Sequence, residues 1–188
     1  MSRAGWNAGW LGRARLCPSP NRDPRPPRTH VDLVVVHSIS LPPGVYGGDA
    51  IERLFTNRLD WDAHPYYASI RGLAVSAHFL VRRDGGLLQF VSCDERAWHA
   101  GRSVWRGRAD CNDYSVGVEL EGLEGEAFDA VQYDTLAALI VELAQRYPIA
   151  AVAGHEHVAA GRKGDPGRGF DWRHLERLAC GPRLEFAA

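Results

Sequence analysis

Lysine is nearly absent from this chain. Lysine and arginine together number 22, yet Lys163 is the only lysine and every other basic residue is arginine. An arginine-biased sequence that keeps one ammonium, two positions from Asp165, singles that position out, because an ammonium is a compact three-donor charge where a guanidinium is a planar fork. A solvated loop lysine is the plain alternative. Closely spaced cysteines are missing too: Cys17, Cys93, Cys111 and Cys180 are scattered, with no Cys-x-x-Cys pair. That argues against a thiolate zinc site and against a dense disulfide framework. No H-E-x-x-H occurs, so the helical zinc-protease pattern is excluded. Nor is there a long apolar run. Near the start, Trp6, Trp10 and Leu11 are separated by glycine and arginine, so neither a leader nor a membrane span is expected, and the cytoplasm is the expected compartment. A net charge of −1 gives no electrostatic basis for a nucleic-acid or membrane partner.

What remains is the composition of an ordinary folded domain. With 188 residues, 45% of them hydrophobic, the chain is long enough to bury one sizeable core. Residues 1–28 read as an N-terminal arm and connection, because Pro18, Pro20, Pro24, Pro26 and Pro27 forbid helix interior and central strand. Residues 29–180 form the domain, and residues 181–188 a tail. Val31 to Ile39 is a continuous β-branched run, the pattern of a strand buried on both faces. Helical spacing of Ile51, Leu54, Phe55 and Leu59 predicts a helix over Gly47 to Leu59, capped by Asp49. Val75 to Arg83 and Leu87 to Ser92 flank Asp84-Gly85-Gly86, a hairpin signal.

Further along, Tyr114 to Glu121 alternates as a strand. Asp129 to Arg146 is a helix with a capping box at Asp129 and Gln132, stopped by Pro148. Ile149 to Gly154 is a short strand leading into a Gly/Pro-punctuated loop over 154–167, and Phe170 to Leu178 a last helix. Strand, helix, hairpin, strand, helix, strand and helix in that order predict a single α/β domain with a central mixed β-sheet flanked by helices.

Several polar residues interrupt this apolar plan. His37, at the exit of a buried strand, is either a satisfied core histidine or a site residue. Glu119 and Glu121 share one face of their strand, which is either a solvated face or a carboxylate aimed into a pocket. Trp98-His99-Ala100-Gly101 could line a cleft or simply pack. His37, His155 and Asp165 make an N,N,O donor set of the kind catalytic zinc uses with an open fourth position. The long gap between the first two means that only the fold can bring them together. His155-Glu156-His157 is a local competitor, if extended, with His157 the weaker candidate.

Read together, His37-Ser38-Ile39-Ser40-Leu41-Pro42-Pro43-Gly44, Val75-Ser76-Ala77-His78, Arg96-Ala97-Trp98-His99-Ala100-Gly101, Cys111-Asn112-Asp113, Gly117-Val118-Glu119-Leu120-Glu121-Gly122 and Arg162-Lys163-Gly164-Asp165-Pro166-Gly167 resemble, block by block and in order, the cytoplasmic anhydromuramyl-peptide amidases of peptidoglycan recycling. These belong to the N-acetylmuramoyl-L-alanine amidase superfamily, whose fold is shared with peptidoglycan recognition proteins and a phage lysozyme. The likeness runs from about Trp10 to Trp172.

The resemblance implies one zinc ion per chain on His37, His155 and Asp165, with Glu119 rather than Glu121 as the catalytic glutamate and Lys163 as the catalytic lysine. Ser38 and Trp98 would line the substrate cleft. The implied substrate is a small muropeptide, cut between the lactyl group and L-alanine by a monomer. An amidase of intact cell wall and a non-catalytic muropeptide-binding module are the alternatives. Three positions depart from the family's habit: Ser38 stands where asparagine is usual, Ala160 where proline is, and Gly164 where threonine is. None is a proposed ligand.

Overall fold

The β-branched and apolar runs do pair into a sheet, and its strand order explains how distant residues meet. The structure is a computed structural model that describes residues 5–179, 181 and 183–187. The arm supplies four short strands, β1 (Trp6–Asn7), β2 (Trp10–Leu11), β3 (Arg15–Leu16) and β4 (Arg22–Pro24). β5 (Leu33–Ile39) is followed by helices α1 (Ala50–Phe55) and α2 (Pro65–Ser69), then by β6 (Phe79–Val81), β7 (Leu87–Gln89), β8 (Glu95–Ala97), β9 (Val104–Trp105) and β10 (Arg108–Ala109). β11 (Ser115–Glu121), α3 (Ala130–Arg146), β12 (Ala151–Gly154), α4 (His155–Val158), α5 (Trp172–Leu178) and β13 (Glu185–Phe186) complete the order. Cys180 lies outside the described residues.

Seven strands form the central sheet in the order β13-β12-β5-β11-β6-β7-β3. β12, β5, β11 and β6 run parallel, and β7 turns back antiparallel on β6, so the sheet is mixed. The central register sets Glu119 beside His37 and Gly154 beside Val36. His37, Glu119 and the residue after Gly154 thus all lie toward the carboxyl ends of adjacent parallel strands, where open α/β sheets hold their ligands.

All seven residues of β11 are buried, so the expected choice between a solvated face and a pocket resolves against solvent. One face, Val116, Val118 and Leu120, packs with Leu136, Leu139, Ile140 and Leu143 of α3 in the main core. Each such buried aliphatic side chain contributes about 1.5–3 kcal/mol. α3 starts with Gln132 Oε1 accepting the Asp129 N–H at 3.0 Å, the reciprocal arm of the expected capping box. Gln132 Nε2 also donates to the Glu121 carbonyl at 3.1 Å, tying helix to strand. A second cluster, with Leu41, Leu54, Phe55, Leu80 and Phe90, seats α1 on the sheet.

Two local expectations need correcting. The helix predicted over Gly47 to Leu59 covers only Ala50–Phe55: Asp49 makes no side-chain cap and instead pairs with Arg53 at 2.7 Å, and Asn57 turns left-handed at φ 57°, which ends the helix. A further helical turn, α2, follows, because Pro65 sits at its first position and His64 accepts the Tyr66 N–H, a start for which proline is preorganised. The stretch after β12 is not loop from the outset either. His155–Val158 form a helical turn, so His155 and His157 are not an extended same-face pair.

The arm lies along the domain. β3 pairs with β7 at the sheet edge and β4 with β8. Arg25 enters the interior and donates to the carbonyls of Cys93, Asn112, Asp113 and Ser115 at 2.7–3.2 Å. Burial pulls its pKa down to about 10, which leaves it charged at neutral pH. Among the described residues no helix is long and apolar enough to cross a membrane.

Candidate metal centre and its cleft

The fold closes the gap of more than a hundred residues between the two candidate imidazoles. His37 arrives on β5, His155 opens α4 directly after β12, and Asp165 returns from the loop beyond α4, where its carbonyl accepts the Glu156 N–H at 2.9 Å. Their donor atoms converge: His37 Nδ1 and His155 Nδ1 are 3.0 Å apart, and Asp165 Oδ2 is 3.2 Å from the first and 3.1 Å from the second. A tetrahedral ion with bonds near 2.0 Å separates its ligand atoms by roughly 3.3 Å. A near-equilateral triangle of two nitrogens and one carboxylate oxygen therefore fits one face of a zinc tetrahedron. The donor chemistry fits as well, since borderline zinc takes imidazole and carboxylate together.

Electrostatics agree with that donor set. Burial lowers the His37 pKa to about 4, against the opposing effect of its hydrogen bond to Asp165, so its ring is neutral at pH 7 and has a lone pair to give. Burial alone would raise the Asp165 carboxyl, but its hydrogen bonds with His155 and His37 outweigh this and hold it well below the usual carboxylate range. His157, the local competitor, faces away. Its Nδ1 accepts the Gly154 N–H at 2.9 Å and its ring packs against Trp172 with centroids 5.4 Å apart.

The two glutamates of β11 separate cleanly. Glu121 accepts from Arg82 at 2.8 Å, from the Gly47 N–H at 2.7 Å and from the Arg83 N–H at 3.3 Å, so it is a satisfied structural carboxylate. Glu119 is 9% exposed, and its Oε2 has no hydrogen-bond partner. Burial, reinforced by the Asp165 charge and opposed by Lys163, pushes its pKa well up. A buried, unpartnered carboxylate oxygen beside a converging donor set is poised to handle a proton.

A cleft of about 450 Å³ opens over these groups, lined by His37, Glu119, His155, Lys163 and Asp165, with Ser38 and Trp98 on its walls. Apolar side chains of Ile39, Leu41, Leu54, Phe55, Ile70 and Leu73 also line it. Lys163 is exposed at the rim. Trp98 is fixed from the N-terminal segment: its indole N–H donates to Asp23 at 2.7 Å. Gly164 lies against Glu124, and a Cβ there would stand 2.2 Å from Glu124 Oε1, so the carboxylate takes up the space a side chain at 164 would need.

Sequence reasoning passed over the groups behind the ligands. His37 Nε2 lies 2.9 Å from His99 Nδ1, and His155 Nε2 lies 3.2 Å from the Ala100 carbonyl. The signal in the sequence was Gly117, a glycine inside a strand, which marks a close approach. A Cβ at that position would stand 2.4 Å from the His99 ring.

Known proteins resemble the chain over most of its length. The family described as N-acetylmuramoyl-L-alanine amidase matches residues 27–168. The 1,6-anhydro-N-acetylmuramyl-L-alanine amidase AmpD of Citrobacter freundii is 51% identical over 90% of this chain and 92% of its own. A crystal structure of a selenomethionine AmpD derivative superposes with a TM-score of 0.89 at 51% identity, over 92% of this chain and 97% of that one. The amidase AmiD of Escherichia coli, in complex with the substrate anhydro-N-acetylmuramic acid-L-Ala-D-gamma-Glu-L-Lys, superposes at 0.60 with 27% identity, over 84% of this chain and 62% of that one.

Proposed function

The chain belongs to the N-acetylmuramoyl-L-alanine amidase family, and from that premise we propose that it is a zinc-dependent, cytoplasmic hydrolase of anhydromuropeptides acting in peptidoglycan recycling. The observation that carries the reading is the triangle of His37 Nδ1, His155 Nδ1 and Asp165 Oδ2 at 3.0–3.2 Å, beneath a cleft into which Glu119 offers an unpartnered oxygen. The relatives named AmpD support the substrate class. All the proposed groups come from one chain, which supports a working monomer.

His37, His155 and Asp165 would hold the zinc. When bound, the ion supplies Lewis acidity and brings the pKa of water towards neutrality. Glu119 takes a proton from the attacking water as its oxygen bonds to the lactyl carbonyl carbon. It then returns that proton to the alanine nitrogen as the carbon–nitrogen bond breaks. The Lys163 ammonium, at the rim, faces the oxyanion that develops on the carbonyl oxygen. Ser38 and Trp98 position the muramyl peptide along the cleft wall. The products are an anhydromuramyl sugar acid and a stem peptide with a free amino terminus. A complete donor set, with Glu119 and Lys163 both present, speaks against a non-catalytic binding module.

The test is product analysis. The zinc-loaded protein is incubated separately with an anhydro-N-acetylmuramyl tripeptide and with intact sacculi, and the products are read by mass spectrometry. The reading expects sugar acid and free tripeptide from the first and little peptide release from the second. Equal release from sacculi would favour an amidase of intact cell wall, and no release from either would contradict the reading.

A further inference from the structure

Behind the candidate ligands lies a chain of hydrogen bonds that the reaction itself does not use. An imidazole that ligates through Nδ1 carries its proton on Nε2, so the far side of each ligand ring is a donor that needs a buried acceptor. Two consecutive residues of the loop after β8 face those two donors. His99 Nδ1 lies 2.9 Å from His37 Nε2, and the Ala100 carbonyl lies 3.2 Å from His155 Nε2. His37 and His99 meet edge to face, with ring centroids 5.0 Å apart.

The direction of each bond then follows. To accept from His37, His99 must have Nδ1 free of a proton, which puts its own N–H at Nε2. That atom lies 3.2 Å from Ser115 Oγ, and the Ser115 hydroxyl in turn donates to the Cys111 carbonyl at 2.5 Å. The relay ends on a backbone carbonyl, which accepts and cannot donate, so it has one polarity. Asn112 holds the segment in place: its Oδ1 accepts the N–H of His99 at 3.2 Å and of Ala100 at 2.8 Å. Arg162, beside Lys163, donates to the same Ala100 carbonyl at 2.6 Å. Room for the His99 ring comes from Gly117 on β11, where a Cβ would stand 2.4 Å from it.

We propose that His99 and Ala100, fixed by Asn112, form a platform that orients both histidine ligands, with His99 as a positioning residue for His37. The proposal rests on the reading of His37 and His155 as zinc ligands through Nδ1. His99 holds the His37 ring in one tautomer and one rotation, so that its Nδ1 meets the other two donors at the right separation. The glycine in β11 is the price of that arrangement.

The experiment uses the full chain and measures zinc affinity by competition with a chromophoric chelator for wild type, His99→Asn and His99→Phe. Asparagine is smaller than histidine but can place Oδ1 where Nδ1 stood, whereas phenylalanine fills the volume and offers no acceptor. The platform predicts that His99→Phe binds zinc about 10- to 100-fold more weakly and that His99→Asn recovers most of the loss. A packing role predicts the opposite order, and that order, or unchanged affinity in His99→Phe, would overturn the proposal. Should either variant fail to fold, nitrogen NMR of the wild-type imidazoles in the zinc-loaded protein decides alone. His99 is expected as the Nε2–H tautomer, and an Nδ1–H tautomer would overturn the relay. A wild-type protein that holds no zinc would instead contradict the proposed function, which keeps the two failures distinguishable.

Discussion

Glu119 and Glu121 stand two residues apart on one face of β11, and their surroundings give them different work. Glu121 is 2% exposed and fully paired. Glu119 leaves one oxygen without a partner, and burial holds its pKa well above the ordinary carboxylate value. The linkage has a definite sign: a carboxyl whose pKa is raised on folding contributes stability that is present below its unfolded pKa and lost as pH rises towards the folded one. Glu119→Gln should therefore keep zinc and lose turnover by about 10²–10⁴-fold. In the metal-free protein the same variant should gain stability over wild type as pH rises above the ordinary carboxylate range, as read by urea unfolding. Glu121→Gln should do the reverse, keeping most turnover while losing about 1–3 kcal/mol of stability as its buried bonds are weakened. Equal kinetic losses in the two variants would mean that the assignment of roles is wrong.

At the residue scale two of the candidate ligands, His37 and Asp165, lie inside the ordered blocks that carry the resemblance, while His155 stands at the head of the Gly/Pro-punctuated stretch over 154–167. The positions of His99 and Asn112 were inside quoted blocks too. Their contacts were not legible, because His37 and His99 are 62 positions apart and meet only across the finished sheet.

Among the elements, β11 decides most. Its parallel pairing with β5 brings Glu119 level with His37, while its other face anchors α3. Alternation in Tyr114 to Glu121 already implied two faces. It did not tell that the second face would be covered by the loop carrying Trp98, His99 and Ala100, since period-two patterning is silent about what packs on a polar face. Gly117 is where that covering loop comes closest. Gly117→Ala, a strand position that otherwise favours a side chain, should push the His99 ring aside. The expected cost is about 1–3 kcal/mol in urea unfolding, the range of an overpacked interior, together with weaker zinc binding. A fully stable variant with unaltered zinc affinity would refute the close-packing account of that glycine.

Element ends were read less well than element positions: the strand expected over Val75 to Arg83 covers only Phe79–Val81. α1 stops where Asn57 goes left-handed, and α4 forms where a loop was expected, because capping and single left-handed residues are local choices that apolar spacing does not encode. The departure at Gly164 also gains a physical reason. Glu124 fills the space beside it, so the absent side chain at 164 is matched by a neighbour's carboxylate rather than by a void.

Across the whole molecule, a mixed sheet carries three donors from β5, from the start of α4 and from the loop beyond it to one point at its carboxyl edge, and an apolar wall extends from that point. A bound ion that prefers the folded chain also stabilises it, by an amount that grows with free ion over its dissociation constant. With zinc bound as proposed, the site and the fold would be thermodynamically linked through Asp165, His37 and His155. The most direct measurement of this account combines metal analysis with anhydromuropeptide cleavage on wild type and Asp165→Ala, before and after chelation. About one zinc per chain, turnover that chelation abolishes and added zinc restores, and an Asp165→Ala variant that neither holds zinc nor turns over are the predicted results. Full turnover by the metal-free wild-type protein would contradict it.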